Sequence, residues 1–426
     1  MISAGEASGD AHAANVVQSL VNLRPDIACH GMGGAQLKSV GVELTVDFTS
    51  LAFMGYVDVA LNYRKLRQRL TDLQTSMRAR QPDLLILVDY ASFNLKLAET
   101  AKELHIPVLF YIGPKLWASR PKRINKIKEL VTHMALILPF EPAIYHKAGI
   151  AADYVGNPSI EQIDVPDNKL DARRQIYRAN IDTTSNSDNA EEQINATHIG
   201  LLPGSRQAEL KYNLPVLLET AVQLGTERDE PCRFVLPLAN GLDNDYVAQT
   251  LDHYPQLAVS VIQEQSHTVM KACDVLMIAS GTATLEAAVI GTPTVSLYVM
   301  HWLNHAIMRR LLTSEHITLV NIQANAAVIK ELVQTDATPT ELANEVNRLL
   351  DDTAYRNQMI AEFTKIREAL NRPELSIDKS AQDSDITPEA AIQTNTHNAH
   401  VATADNDTTT SERVARLALT MVSHDN

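Results

Sequence analysis

Eight short apolar runs, at 84–88, 108–112, 134–138, 199–202, 234–238, 275–279, 294–299 and 317–320, alternate with polar-patterned stretches of helix length. Each run is too short for a typical globular helix and too uniformly apolar for a strand with one wet face. A strand covered on both faces fits better. Such strands joined by helical crossovers predict a parallel sheet, so the fold class is α/β. The 426 residues leave room for two or three domains. The series breaks at 182–198, which is rich in Ser, Thr and Asn and nearly devoid of core residues. The expected organisation is an α/β domain at 1–165, a polar linker or insertion at 166–198 and a second α/β domain at 199–350. C-terminal helices at 351–426 would enclose a disordered insertion at 376–410, where apolar residues are again scarce.

The net charge of −14 would, if evenly spread, repel nucleic acid, anionic lipid and polyphosphate. It is not evenly spread. Residues 182–198 carry −4 and 376–410 carry −5, leaving −5 on everything else. Against that remainder stand Arg64, Lys65, Arg67 and Arg69, and six cations with no acid between Gly113 and Lys128. A nucleotide or an anionic lipid surface is therefore compatible with the folded body, whereas nothing points to nucleic acid. Cys29, Cys232 and Cys273 are widely spaced and odd in number, which fits a reducing cytosol and neither a disulfide framework nor a cysteine zinc site. No apolar run approaches the roughly 18 to 20 residues that span a bilayer, and the first residues lack the pattern of a secretory signal.

Several motifs stand where strands end. Ala4-Gly5-Glu6-Ala7-Ser8-Gly9-Asp10 permits a tight turn into a helix whose free N–H groups can face a ligand; Ser8 or Asp10 as a simple cap is the competing reading. His30-Gly31-Met32-Gly33-Gly34 lacks the dinucleotide spacing and reads as a turn. Asp89 closes the run 84–88, at the sheet edge where open α/β folds bind ligands, and can act as a general base or cap the helix through Phe93-Asn94. Leu202-Pro203-Gly204-Ser205-Arg206 sets a glycine turn and a guanidinium after a strand, a pattern suited to phosphate. Ala279-Ser280-Gly281-Thr282-Ala283-Thr284-Leu285-Glu286 does the same at a helix start, with Glu286 in reach of sugar hydroxyls. Two such turns in one domain suggest a nucleotide diphosphate. Asp243-Asn244-Asp245 has a metal-like spacing, but similar triplets at 383–385 and 405–407 make coincidence the better account.

Together with Met54-Gly55-Tyr56-Val57-Asp58-Val59, Gly113-Pro114-Lys115-Leu116-Trp117-Ala118, Leu138-Pro139-Phe140-Glu141 and Val155-Gly156-Asn157-Pro158, these motifs occur in an order that resembles the lipid-A-disaccharide synthases, from the first residues to about Leu332. The resemblance implies the GT-B architecture, two Rossmann-like parallel-sheet domains facing across a cleft with C-terminal helices packing back. It also implies an inverting transfer of the sugar of UDP-2,3-diacylglucosamine to the 6-hydroxyl of 2,3-diacylglucosamine 1-phosphate, giving a β-1,6 disaccharide and UDP. No cofactor and no metal would be needed. Carried over by position, Asp89 would be the base and Arg206 would stabilise the departing UDP. Gly204, Ser205, Ser280, Gly281, Thr282, Glu286 and Asn321 would bind the donor, and Gly5, Glu6, Ser8, Gly9, Asp10 and Asn94 would line the acceptor side. The expected setting is the cytoplasmic face of a Gram-negative inner membrane, peripherally bound to anionic lipid, with a homodimer as an open option. An enzyme nearer to UDP-GlcNAc 2-epimerase and a catalytically silent lipid-binding homologue are the alternatives.

The chain departs from the family pattern in places. Ala91-Ser92 stands where Pro-Asp is usual, Ser119 where a tryptophan is usual, and Asn157 where a histidine is usual. Only Met1 and Ile2 stand where most members have a longer first strand, so a misassigned start or a truncation is expected. Acylated substrates also need an apolar receiving surface, because lifting a twelve-carbon chain from a bilayer costs on the order of 10 kcal/mol. The candidate is Leu51-Ala52-Phe53-Met54 with Tyr56, followed by the basic cluster at Arg64; an ordinary amphipathic core helix is the competing reading.

Overall fold

The computed structural model describes residues 1–48, 63–117, 121–178, 194–300, 315–373, 375 and 408–423. The apolar stretch 51–56, the motif at 54–59, residues 118–120, the acidic stretch 182–193 and the segment 376–407 lie outside them.

The chain divides into two compact units, Met1–Glu161 with Leu370–Asn426, and Gln162–Ala369. The first contains a seven-stranded sheet built from β1 (Ile2–Ala4), β2 (His30–Gly33), β3 (Glu43–Asp47), β4 (Leu85–Val88), β5 (Val108–Tyr111), β6 (His133–Leu136) and β7 (Ala152–Tyr154), in the order β3-β2-β1-β4-β5-β6-β7. Every pairing is parallel. Period-two alternation sends Leu85, Leu87, Phe110 and Met134 into one apolar layer and Ile86, Val88, Leu109 and Ala135 into the other. This is why the runs carry no polar positions. The terminal helix Thr410–Ser423 closes the second layer, seating Val414, Leu417 and Ala418 with Val16, Val17 and Leu20 of the helix Ala7–Leu23.

The second unit has a six-stranded parallel sheet of β8 (Thr197–Leu202), β9 (Cys232–Leu238), β10 (Val259–Gln263), β11 (Val275–Ala279), β12 (Thr294–Tyr298) and β13 (Glu331–Val333), ordered β10-β9-β8-β11-β12-β13. Strand order reverses between β1 and β4 in one unit and between β8 and β11 in the other. The carboxyl ends of those pairs are the switch points at which doubly wound folds form ligand crevices.

Three expectations change. The segment 166–198 is not wholly a linker, since it holds the helix Lys169–Arg178, whose Ala172, Ile176 and Tyr177 enter the core of the second unit. The run 317–320 is not a strand: Thr318 caps a helix, Leu319–Ala324, and the edge strand is β13. Four apolar or β-branched residues cannot by themselves distinguish a strand from a capped helix start. The cluster at His30 is strand β2 rather than a turn. Gly31, at φ +150°, lets β1 approach, because a Cβ there would collide with the Ile2 carbonyl.

Candidate active site

At the carboxyl edge of the first sheet the backbone turns sharply. Asp89 and Tyr90 both lie at φ +47° and Ile112 at φ +58°, left-handed conformations that non-glycine residues adopt at an energetic cost and that collect at functional sites. Asn94 holds this turn. Fully buried, it donates to the carbonyls of Asp89 (2.7 Å), Val88 (3.2 Å) and Ser3 (3.4 Å) and accepts from the Ser3 hydroxyl (2.7 Å). It thus clamps the ends of β1 and β4 and positions Asp89, with its amide spent on the framework rather than offered to an acceptor. Gly5 faces the Tyr90 ring so closely that a Cβ would collide with it.

The Asp89 carboxyl is raised above the ordinary carboxylate range by burial, opposed by the Tyr90 backbone N–H and by the charges of Lys115 and His12. His12 was not legible as part of the site. Burial lowers its imidazole, Asp89 raises it, and its Nδ1 is buried without a partner. Glu6 and Ser8 are exposed where the helix Ala7–Leu23 begins, and Gly9 lies against β4 at the Val88 carbonyl. Asp10 does not cap its own helix. Buried, it accepts from the N–H groups of Gly34 (2.7 Å), Gln36 (2.9 Å) and Leu37 (3.3 Å), capping the helix Ala35–Ser39. Ser92, which stands where the family has its second carboxylate, accepts from Arg123 at 3.3 Å.

Lys115 is exposed on a loop anchored from beneath by a residue that motif spacing alone did not reveal as structural. Glu141 is buried and accepts from the Trp117 indole (3.2 Å) and the Leu138 N–H (3.2 Å), while the Tyr145 hydroxyl donates to the Pro114 carbonyl (3.2 Å). Burial pushes the Glu141 carboxyl up to about 7, with the Trp117 and Leu138 donors and Lys115 opposing. A carboxyl raised on folding stabilises the protein most at low pH, and that contribution is lost as pH rises from the ordinary carboxylate value through 7. Between pH 5 and 8 the parent chain is expected to lose about 2 kcal/mol of unfolding free energy relative to Glu141→Gln. Denaturant titrations at a series of pH values measure this, and a gap independent of pH would mean that Glu141 does not titrate in that range.

In the second unit, Gly204 (φ +115°) begins the turn after β8, and a Cβ there would strike Glu209. Glu209 accepts from the Ser205 N–H (3.1 Å) and lies 3.3 Å from Arg206, whose side chain is 81% exposed. Buried Asn213 supports the turn, donating to the Pro203 carbonyl (2.8 Å) and accepting from Val299 N–H (3.2 Å). After β11, Ser280 N–H donates to the Leu297 carbonyl (3.0 Å), and the helix Thr282–Ile290 starts at Gly281 with no side-chain cap. Gly281 and Thr282 are exposed, and a Cβ at Gly281 would meet open space. Register pairs Leu202 with Ile278, so the two turns leave neighbouring strands at one switch point. An uncapped helix start and an exposed guanidinium on adjacent turns suit a diphosphate. Glu286, half-buried, accepts from His267 Nε2 at 3.1 Å.

Asn321 requires a correction. Buried, it donates to the Ile329 carbonyl and Glu331 (both 2.9 Å) and accepts from Val328 and Ile329 N–H (both 2.9 Å). Its amide is saturated, so it braces the approach to β13 and has nothing left for a donor. Asp243 accepts from Tyr246 N–H (3.0 Å) as a helix cap, and no cluster of three or more metal-ligating side chains occurs among the described residues. No helix among them is long and apolar enough to cross a membrane.

Two doubly wound parallel-sheet units, each with its motif residues at a switch point, have the GT-B architecture. The sequence model of the Lipid-A-disaccharide synthetase family matches residues 1–384, and the chain belongs to that family. It is 38% identical over 370 residues to the lipid-A-disaccharide synthase of Trichlorobacter lovleyi, covering 87% of this chain and 92% of that one. It is 37% identical over 373 residues to the synthase of Syntrophus aciditrophicus, covering 88% and 94%. Among solved structures, a putative UDP-N-acetylglucosamine 2-epimerase from Listeria monocytogenes aligns with a TM-score of 0.55 at 13% identity, over 91% of this chain and 98% of that one, a likeness of fold.

Proposed function

We propose that the chain transfers the sugar of UDP-2,3-diacylglucosamine to 2,3-diacylglucosamine 1-phosphate, releasing UDP and the β-1,6 disaccharide phosphate. The observation that carries this is the similarity to lipid-A-disaccharide synthases over nine-tenths of their length. In this reading Asp89 takes the proton of the acceptor 6-hydroxyl as that oxygen attacks the anomeric carbon. The bond to the diphosphate breaks on the opposite face, which inverts the centre. General-base help supplies roughly 10² to 10⁴ in rate, and holding the substrates in position supplies much of the rest. Arg206, with the N–H groups of the Gly281–Thr282 turn, receives the charge of the leaving UDP, and Glu286 accepts from its ribose; the Ser205 N–H is taken by Glu209 and serves the turn instead. Glu6 and Ser8 face the acceptor. No residue in this scheme requires a metal or cofactor. Incubating the purified protein with both substrates and separating the products tests the reading. Disaccharide and UDP in equal amounts are expected, whereas UDP release without disaccharide, or no product from folded protein, would defeat it.

The setting we propose is an anionic membrane surface on the cytoplasmic side. Arg64, Lys65 and Arg67 are exposed on the helix Tyr63–Arg80, while Leu73 and Met77 of the same helix enter the core. A core-facing side and a basic, lipid-facing side are therefore compatible on one helix. Each basic residue near such a surface contributes about 1 kcal/mol, so changing all three to Glu should weaken binding to anionic vesicles about a hundredfold or more. Sedimentation with vesicles checks this, and unchanged binding would move the membrane contact elsewhere.

A further inference from the structure

Glu286 lies one turn into the helix Thr282–Ile290, and its partner comes from a different element. His267 stands in the first turn of the helix Ser266–Ala272, which follows the carboxyl end of β10. The imidazole and the carboxylate are partly covered, with 25% and 15% of their side-chain surfaces exposed, and Nε2 lies 3.1 Å from Oε2. One oxygen of Glu286 is therefore taken by the ring and the other is left. A carboxylate on a three-bond stem samples several rotamers, and fixing it costs entropy unless a neighbour has already done so. An imidazole suits this task, because its Nε2–H donates to one carboxylate oxygen and leaves the other oxygen to a second donor.

Resting on the donor-site reading above, we infer that His267 is a positioning residue for nucleotide recognition: its Nε2–H holds Glu286 Oε2 so that Oε1 accepts from the ribose hydroxyls of a nucleoside diphosphate. His267 itself touches no substrate. Its contribution is selective for ribose over deoxyribose and separate from the diphosphate contacts of Arg206 and the Gly281–Thr282 turn.

Calorimetric titration with UDP, 2′-deoxy-UDP and 3′-deoxy-UDP tests this on the full chain, using the parent, His267→Ala, His267→Gln and Glu286→Ala. An ordered hydrogen bond of this kind is worth about tenfold in affinity. The parent should therefore bind UDP about tenfold more tightly than at least one deoxy analogue. His267→Ala should lose most of that preference by weakening UDP alone. His267→Gln, which can offer an N–H of similar reach, should restore it. In turnover, His267→Ala should raise KM for the sugar nucleotide and leave kcat nearly unchanged. Equal weakening of all three ligands would make His267 merely structural and overturn the inference, as would an unchanged preference in His267→Ala. If Glu286→Ala leaves both UDP affinity and the preference intact, the donor-site reading itself fails and the inference falls with it. If Glu286→Ala loses both while His267→Ala does not, only the role of His267 is refuted.

Discussion

Asp89→Asn should lower turnover by about two to four orders of magnitude, the range that general-base catalysis commands, while UDP affinity stays at the parent value. The substitution is unusually clean for this position. Asp89 sits at φ +47°, and asparagine is among the few side chains that tolerate the left-handed region. The turn is clamped by Asn94 through the Asp89 carbonyl, which the change leaves in place. What disappears is the basic oxygen, so the loss should fall on kcat. The pH profile offers a second readout. Burial raises the Asp89 carboxyl, and the base works only when ionised, so activity should climb with pH through a limb above the ordinary carboxylate range. That limb should be absent from the residual activity of Asp89→Asn. Lys115→Ala removes one of the charges that restrain the rise and should shift the limb further up. Near-normal turnover in Asp89→Asn would remove it from the base role. Ser92, an alcohol held by Arg123 where the family has a carboxylate, offers no carboxylate to take over that proton.

The features legible in the sequence were those that act locally. Seven of the eight apolar runs form strands, because a strand buried on both faces leaves an uninterrupted apolar record. Asp89 and the two glycine turns stand just past strand ends, as the sequence reading places them, because the carboxyl end of a parallel strand is a position that sequence can count to. What escaped was contact across distance. Asn94 reads as a member of a motif, yet its work is to join the end of β4 to Ser3 of β1, ninety-one residues from Asn94 itself. Asp10 reads as the cap of its own helix and caps one that begins twenty-five residues later. His12 near Asp89, Glu141 beneath Trp117 and His267 against Glu286 carry no spacing signal, because the topology that brings them together is a property of the whole sheet. Asn321 shows the opposite failure. A polar residue near a sheet edge suggests a ligand, and only the hydrogen bonds reveal that its amide is already saturated. The basic helix at Arg64 admitted two readings for a different reason. An amphipathic pattern reports which face is buried but not what the other face meets.

Arg206→Ala should reduce kcat by about 10² to 10³, as expected when a donor aimed at developing charge is removed. The guanidinium projects from the turn after β8, the strand beside β11 and its uncapped helix start, and Glu209 meets it only at the loose distance of 3.3 Å. With a side chain 81% exposed, Arg206 contributes little to folding, so lost activity can be read as lost chemistry. The split between kinetic constants decides what it does. If it stabilises charge that appears only as the bond to UDP breaks, kcat and kcat/KM fall together; if it merely holds the diphosphate of the bound donor, KM rises and kcat survives. The first outcome is expected because, in the proposed scheme, the N–H groups of the Gly281–Thr282 turn hold the ground-state diphosphate. Arg206→Lys separates charge from shape: it keeps the cation but loses the planar fork that meets two phosphate oxygens at once, so it should recover only part of the rate. Full recovery by lysine would reduce Arg206 to a point charge. A KM effect alone, with kcat preserved in Arg206→Ala, would place stabilisation of the leaving group on the helix start after β11 instead.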